Sequence, residues 1–262
     1  MMRIVALVGA ASLVPAGSVQ IGTGPAGGTV WQVVIPNTAA PFDLRPTVLY
    51  LPPGLTAGRR YPVVFFLHGF PDSPYQFVDG LRLAETADRG VTSGRLRRFV
   101  AVVPPAGFDV HHGEWSGLWE NYLVRDVVPW ADAHLPVLHT RSARTLAGLS
   151  AGGYGAVDIG LRHPGLFGTL EAWSGSFTSS SAAHDPALLV RREARHLRSL
   201  GTRFFLSCGT TRDRETARNT RAFSRELRSL GLPHELWLAP GGHDGSLWRS
   251  QLPAAILFAL HR

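Results

Sequence analysis

The sequence predicts an α/β architecture: one open, mostly parallel sheet of eight strands with helices on both faces. Three observations predict it. From about residue 29 onward, short β-rich runs alternate with longer stretches of helical periodicity. The middle and later runs are continuously apolar, as in strands covered on both sides. The 262 residues contain no repeat, low-complexity tract or long Pro/Ser linker, which fits a single α/β domain.

In chain order, strands are expected over Val30–Ile35, Thr47–Leu51, Tyr61–Leu67, Phe99–Val103, Thr145–Leu149, Thr169–Trp173, Arg203–Ser207 and Glu235–Leu238. Short loops join the first two or three, so these are expected to run antiparallel at one edge. Apolar residues at helical spacing predict helices over Leu118–Ala133, Gly152–Arg162, Pro186–Leu200, Arg214–Leu230 and Ser246–Leu260. The fourth of these ends at Leu230-Gly-Leu-Pro233, a glycine stop followed by proline.

With 45% apolar and only 17% charged residues the chain buries a large core and is not disordered. Its one cysteine, Cys208, excludes an intrachain disulfide and sits in the apolar run Phe204–Cys208, where it reads as a buried, inert thiol. The net charge of +7 comes from 26 arginines and no lysine, which a GC-rich codon bias explains without nucleic-acid binding. Two arginine clusters, at Arg191, Arg192, Arg195 and Arg198 and from Arg212 to Arg228, fall in helical patterns and read as solvated charged faces.

At the N-terminus Arg3 precedes an apolar run from Ile4 to Val14 and then Pro15-Ala16-Gly17. This fits a short secretory signal over residues 1–16, ahead of a domain at 17–262, and it places the protein outside the cell or in the envelope. The run is too short to insert stably across a membrane.

Gly148-Leu-Ser-Ala-Gly152 stands where an expected strand meets an expected helix. A G-x-S-x-G motif in that context presents Ser150 on a cramped turn, and the flanking glycines keep side chains clear of strand and helix. The helix N-terminus adds free N–H groups and a favourable dipole for a developing oxyanion. A serine hydroxyl is protonated at neutral pH and needs a base. His243 follows the last strand after Gly241-Gly242 and is the candidate. Asp213, on the loop after Arg203–Ser207, is the candidate acid, with Glu215 the alternative. The order Ser, Asp, His is the one expected of a nucleophile elbow on this type of sheet. The N–H groups of Ala151 and Phe70 are the candidate oxyanion donors, because Gly69 allows a sharp turn and Pro71 has no N–H. His68 reads as a structural hydrogen-bonder.

These motifs make the chain resemble the serine esterases of the α/β-hydrolase fold, within the "putative esterase" family that includes esterase D, feruloyl and acetylxylan esterases and the antigen 85 mycolyltransferases. The matching stretches are Leu51-Pro-Pro-Gly54, Leu67-His-Gly69, Gly148–Gly153 with its helix running to His163-Pro164, and Gly241–Trp248. The resemblance implies ester hydrolysis through Ser150, Asp213 and His243, without a cofactor or metal. Antigen 85 proteins carry an aspartate before the glycine and a nearby arginine where this chain reads His68-Gly-Phe-Pro-Asp-Ser73, which speaks against trehalose acyl transfer. The cysteine-containing oxyanion loop of esterase D is absent as well, which speaks against formylglutathione hydrolysis.

The alternatives are an acyltransferase using the same residues and a catalytically silent carbohydrate- or lipid-binding family member. Trp115, Trp119 and Trp248 are candidates for the acyl pocket or the core, and the Ser-rich segment Phe177–Asp185 is a candidate lid. His111, His112 and Glu114 form a weak metal pattern that is set aside, since adjacent histidines rarely converge on one ion.

Overall fold

The structure, a computed structural model, describes residues 14–38, 45–107 and 115–261. The expected leader over residues 1–16, all but its last three residues, and the His111, His112 and Glu114 pattern lie outside the described residues.

Among the described residues the strands are β1 (Val19–Thr23), β2 (Thr29–Val33), β3 (Thr47–Leu51), β4 (Val63–Leu67), β5 (Val100–Val103), β6 (Arg144–Leu149), β7 (Thr169–Trp173), β8 (Arg203–Gly209) and β9 (His234–Ala239). They form one nine-stranded sheet in the order β1-β2-β3-β5-β4-β6-β7-β8-β9. The pairs β1/β2, β2/β3 and β3/β5 are antiparallel, and every pair from β5/β4 to β8/β9 is parallel. The antiparallel edge is as the sequence predicts, and the strand count is corrected from eight to nine. The additional strand, β1, is an exposed edge strand reading Val-Gln-Ile-Gly-Thr, without the apolar run that marks the buried strands.

The helices are α1 (Leu83–Thr92), α2 (Leu118–Tyr122), α3 (Val128–His134), α4 (Ala151–Arg162), α5 (Pro186–Ser199), α6 (Arg214–Ser229) and α7 (Gly245–Leu260). The expected single helix from Leu118 is α2 and α3 joined by a wide turn over Leu123–Val127, where the Val128 N–H reaches back to the Leu123 carbonyl. Pro129, in the first turn of α3, has no N–H to give the carbonyl one ordinary turn back, which favours the wider spacing.

Strand alternation builds two cores. In β4, Val63, Phe65 and Leu67 join the core beneath α2 to α6, while Val64 and Phe66 join the one beneath α1 and α7. Both faces of the central sheet are therefore covered, and all five β4 residues are buried. The chain leaves β4 to form β5 on one side and returns to form β6 on the other. Loops after β4 and β6 thus part at a topological switch point, the place where open α/β sheets bind ligands.

Candidate active site

Ser150 is the single residue between β6 and α4, with φ 53° and ψ −119°, a conformation that L-residues seldom adopt. Its N–H donates to the Trp173 carbonyl at 2.8 Å. Two close approaches hold the turn. A Cβ at Gly148 would lie 2.2 Å from the Gly152 oxygen, and a Cβ at Gly152 would lie 2.1 Å from the Leu67 oxygen. No other residue type fits either place, which is the steric role the flanking glycines are expected to have.

His243 leaves the end of β9 on a loop fixed from both sides. The Thr211 and Arg212 N–H groups both donate to the Gly241 carbonyl at 3.1 Å. Asp244 caps α7 by accepting from the N–H groups of Ser246 and Leu247 at 3.1 and 3.2 Å. So held, His243 Nδ1 donates to Asp213 Oδ2 at 2.9 Å, and its Nε2 accepts from the Ser150 hydroxyl at 2.8 Å. Asp213 occupies the N-cap position of α6 but its side chain makes no capping bond; it turns to the imidazole instead. The carboxylate is 11% exposed and the imidazole 39%, so the acid is shielded while the ring can be reached from solvent.

The structure thus brings Ser150, His243 and Asp213 into one chain of contacts. Glu215 lies in the first turn of α6 and lines the adjoining cavity instead. Ala151 is the first residue of α4, so helix geometry leaves its N–H without an intrahelical acceptor. On the loop after β4, the Gly69 N–H is taken by Gln76 Oε1 at 2.9 Å. A Cβ at Gly69 would lie 3.2 Å from that of Ser150, so the segment leading into Phe70 runs directly beside the serine.

His68 is fully buried, with Nδ1 donating to the Gly69 carbonyl at 3.1 Å and Nε2 accepting from the Ala106 N–H at 3.1 Å. Burial pushes its pKa down to about 4, so it is neutral and structural, as expected. Trp115 Nε1 donates to the His68 carbonyl at 2.9 Å, and its ring lines the cavity beside Ser150.

The other two tryptophans are placed differently. Trp119 is buried in the core under Gly107. Trp248 packs edge-on against His243, with centroids 5.1 Å apart, and donates from Nε1 to Ser174 Oγ at 3.2 Å. Ser174, with φ 51°, is a site neighbour that no sequence signal marked. Cys208 is buried, with its thiol directed at Asp213 Oδ2 at 3.5 Å; burial and that carboxylate push its pKa up to about 12, so it is inert.

The cavity at Ser150 measures about 570 Å³, within the usual range for small-molecule sites. Tyr154, Ser116, Ser174 and Ser176 contribute to its wall. The Ser-rich segment is anchored by Phe177, stacked on Phe223 at 4.3 Å, and by His184, whose carbonyl accepts from the Tyr154 hydroxyl at 2.6 Å. Among the described residues no cluster of three or more His, Cys, Asp or Glu side chains could hold a metal ion.

Comparison with known proteins adds the family. The model described as "Putative esterase" matches residues 43–259. The chain is 25% identical over 239 residues to an esterase of Mycobacterium tuberculosis strain H37Rv, covering 72% of this chain and 50% of that protein. It is 26% identical over 217 residues to an endo-1,4-beta-xylanase/feruloyl esterase of Xylanibacter ruminicola, covering 77% and 27%. The chain therefore spans half or less of the length of these curated relatives. Among solved structures, a ferulic acid esterase superposes with a TM-score of 0.78 at 23% identity, covering 89% of this chain and 97% of that one. MPT51 of Mycobacterium tuberculosis superposes with a TM-score of 0.66 at 19% identity, covering 87% and 98%. These likenesses establish the α/β-hydrolase fold, and the match over residues 43–259 establishes that the chain belongs to the "Putative esterase" family.

Proposed function

We propose that this protein is a serine esterase that hydrolyses a carboxylic ester through an acyl-enzyme on Ser150. The observation that carries the reading is the pair of contacts, 2.8 and 2.9 Å, linking the Ser150 hydroxyl through His243 to Asp213. His243 Nε2 takes the hydroxyl proton as Oγ bonds to the carbonyl carbon, and Asp213 holds the ring in the tautomer this requires. The oxyanion that forms is met by the N–H groups of Ala151 and Phe70. Collapse expels the alcohol with the proton from His243, and a water activated by the same nitrogen then releases the acid.

The lining of Trp115 and Tyr154 beside Ser116, Ser174 and Ser176 suits an acyl group with a flat apolar body and a polar rim. The solved feruloyl esterase module of Clostridium thermocellum is described as complexed with sinapinate, an acid of that shape. Residues 1–16 support action outside the cytoplasm, which N-terminal sequencing of the secreted protein tests. Among the described residues no helix is long and apolar enough to cross a membrane.

A fluorophosphonate probe reads the proposal directly. It is expected to add one adduct mass to the wild type, mapped to Ser150, and none to His243→Ala. An unlabelled wild type, or labelling that survives Ser150→Ala, contradicts it.

A further inference from the structure

The second arginine cluster of the sequence becomes a definite surface in the fold. Arg214, Arg218, Arg221, Arg225 and Arg228 all lie on α6. At about 100° per residue they fall within one arc of about 80°, and they form a row about 21 Å long. All five are exposed, and among the described residues none has an acidic or hydrogen-bonding side-chain partner. Glu226, next to Arg225 on α6, is engaged by Arg191 at 2.8 Å, and Asp244 faces Arg212 at 3.7 Å. Like charges at i, i+4 repel and weaken a helix, so five in register work against the helix they stand on unless a ligand meets them.

The helix has three faces with three surroundings. Ala217, Thr220, Phe223, Ser224 and Leu227 are buried against the sheet. Glu215, Thr216 and Asn219 line the cavity that contains Ser150. The arginine row is the third face, and Arg214, Arg218 and Arg221 border a separate cleft of about 420 Å³ with Thr210 and Ala217. One helix therefore carries both a wall of the candidate active site and a row of unpaired cations.

We infer that the arginine row on α6 binds an acidic polysaccharide, whose repeating carboxylates it engages while an ester on the same polymer enters the Ser150 cavity. The inference rests on the esterase reading for the identity of the polymer and on the arginine row for its charge. The row is longer than any single small anion and calls for a repeating one. No large apolar side chain is exposed on α6, as a membrane-surface helix requires, so a soluble polyanion fits better than a lipid headgroup layer. Nucleic acid carries no carboxylic ester for the neighbouring cavity to cleave.

The test uses the full chain and labelled oligogalacturonate at physiological salt, with neutral arabino-oligosaccharide as the reference. Because the whole protein is basic, the triple variant Arg218→Gln, Arg221→Gln, Arg225→Gln is compared with a charge-matched triple, Arg95→Gln, Arg192→Gln, Arg195→Gln. The α6 triple is expected to lose about tenfold or more in affinity and to flatten the salt dependence, while the control stays within about twofold. On acetylated polygalacturonate the α6 triple raises KM, with kcat/KM for p-nitrophenyl acetate unchanged. Equal losses in both triples, no preference over the neutral oligosaccharide, or equal binding of single-stranded DNA or phosphatidylglycerol vesicles overturns the inference. Ser150→Ala separates the two claims: it retains oligogalacturonate binding, and hydrolysis surviving in it refutes the esterase reading while leaving the binding result to stand.

Discussion

Trp248 stands edge-on to His243, with the two ring planes at 82° and their centroids 5.1 Å apart. The indole is tied down by its bond to Ser174 Oγ, so the imidazole rests on a wall that cannot swing away. Replacing Trp248 with Leu is expected to lower kcat on p-nitrophenyl acetate by about tenfold while leaving KM within about twofold. Trp248→Phe, which keeps an aromatic edge, recovers part of the loss. A change confined to KM contradicts a role in holding the imidazole.

Asp213 and Glu215 are two residues apart, yet only Asp213 touches His243. Asp213→Asn is expected to reduce kcat by about three to four orders of magnitude, by favouring the wrong imidazole tautomer. Glu215→Gln, which alters only the cavity wall, stays within about threefold on a small neutral ester. Steady-state kinetics of the two variants checks the assignment, and the reverse ranking contradicts it.

Glu171 lies in the middle of β7, 1% exposed, with Oε2 accepting from Trp173 Nε1 at 3.2 Å and Oε1 without a hydrogen-bond partner. Burial raises its pKa well above the usual carboxylate value, against the pull of the Trp173 bond and the Arg203 charge. The folded protein therefore holds the neutral acid where the unfolded chain releases the proton. Glu171's contribution is fully present below the unfolded pKa, about 4.3, and is lost as pH rises through the folded value. Glu171→Gln, neutral throughout, is expected to raise Tm relative to wild type more at pH 8 than at pH 4.5. Thermal melts at both pH values read this, and an equal shift at both contradicts it.

Much of this architecture was legible in the sequence because burial on both faces writes itself as apolar runs. β4 and β5 are wholly apolar, β8 carries the run Phe204–Leu206, and β7 keeps apolar neighbours around its one buried carboxyl, Glu171. β1 was missed because an exposed edge strand needs no apolar residues. α1 was missed for a related reason: it follows Arg82, which has a left-handed backbone and no capping side chain, and only Leu83, Ala87 and Asp88 are buried. At the site, the glycine spacing around Ser150 and the Gly-Gly approach to His243 are backbone requirements, so they survive as residue identities. Ser174, by contrast, reaches Trp248 only through the folding of β7 against α7, and one serine among many leaves no mark in a sequence. That Asp213 and not Glu215 contacts His243 is likewise unmarked in the sequence, since both carboxylates stand at the start of α6.

The central claim is that His243 makes the Ser150 hydroxyl reactive, and the most direct measurement is kcat/KM on p-nitrophenyl acetate for the wild type and Ser150→Ala. The wild type is expected to turn the ester over, and the variant to lose roughly three to six orders of magnitude. A variant that stays within about tenfold of the wild type, folded by circular dichroism, contradicts the account.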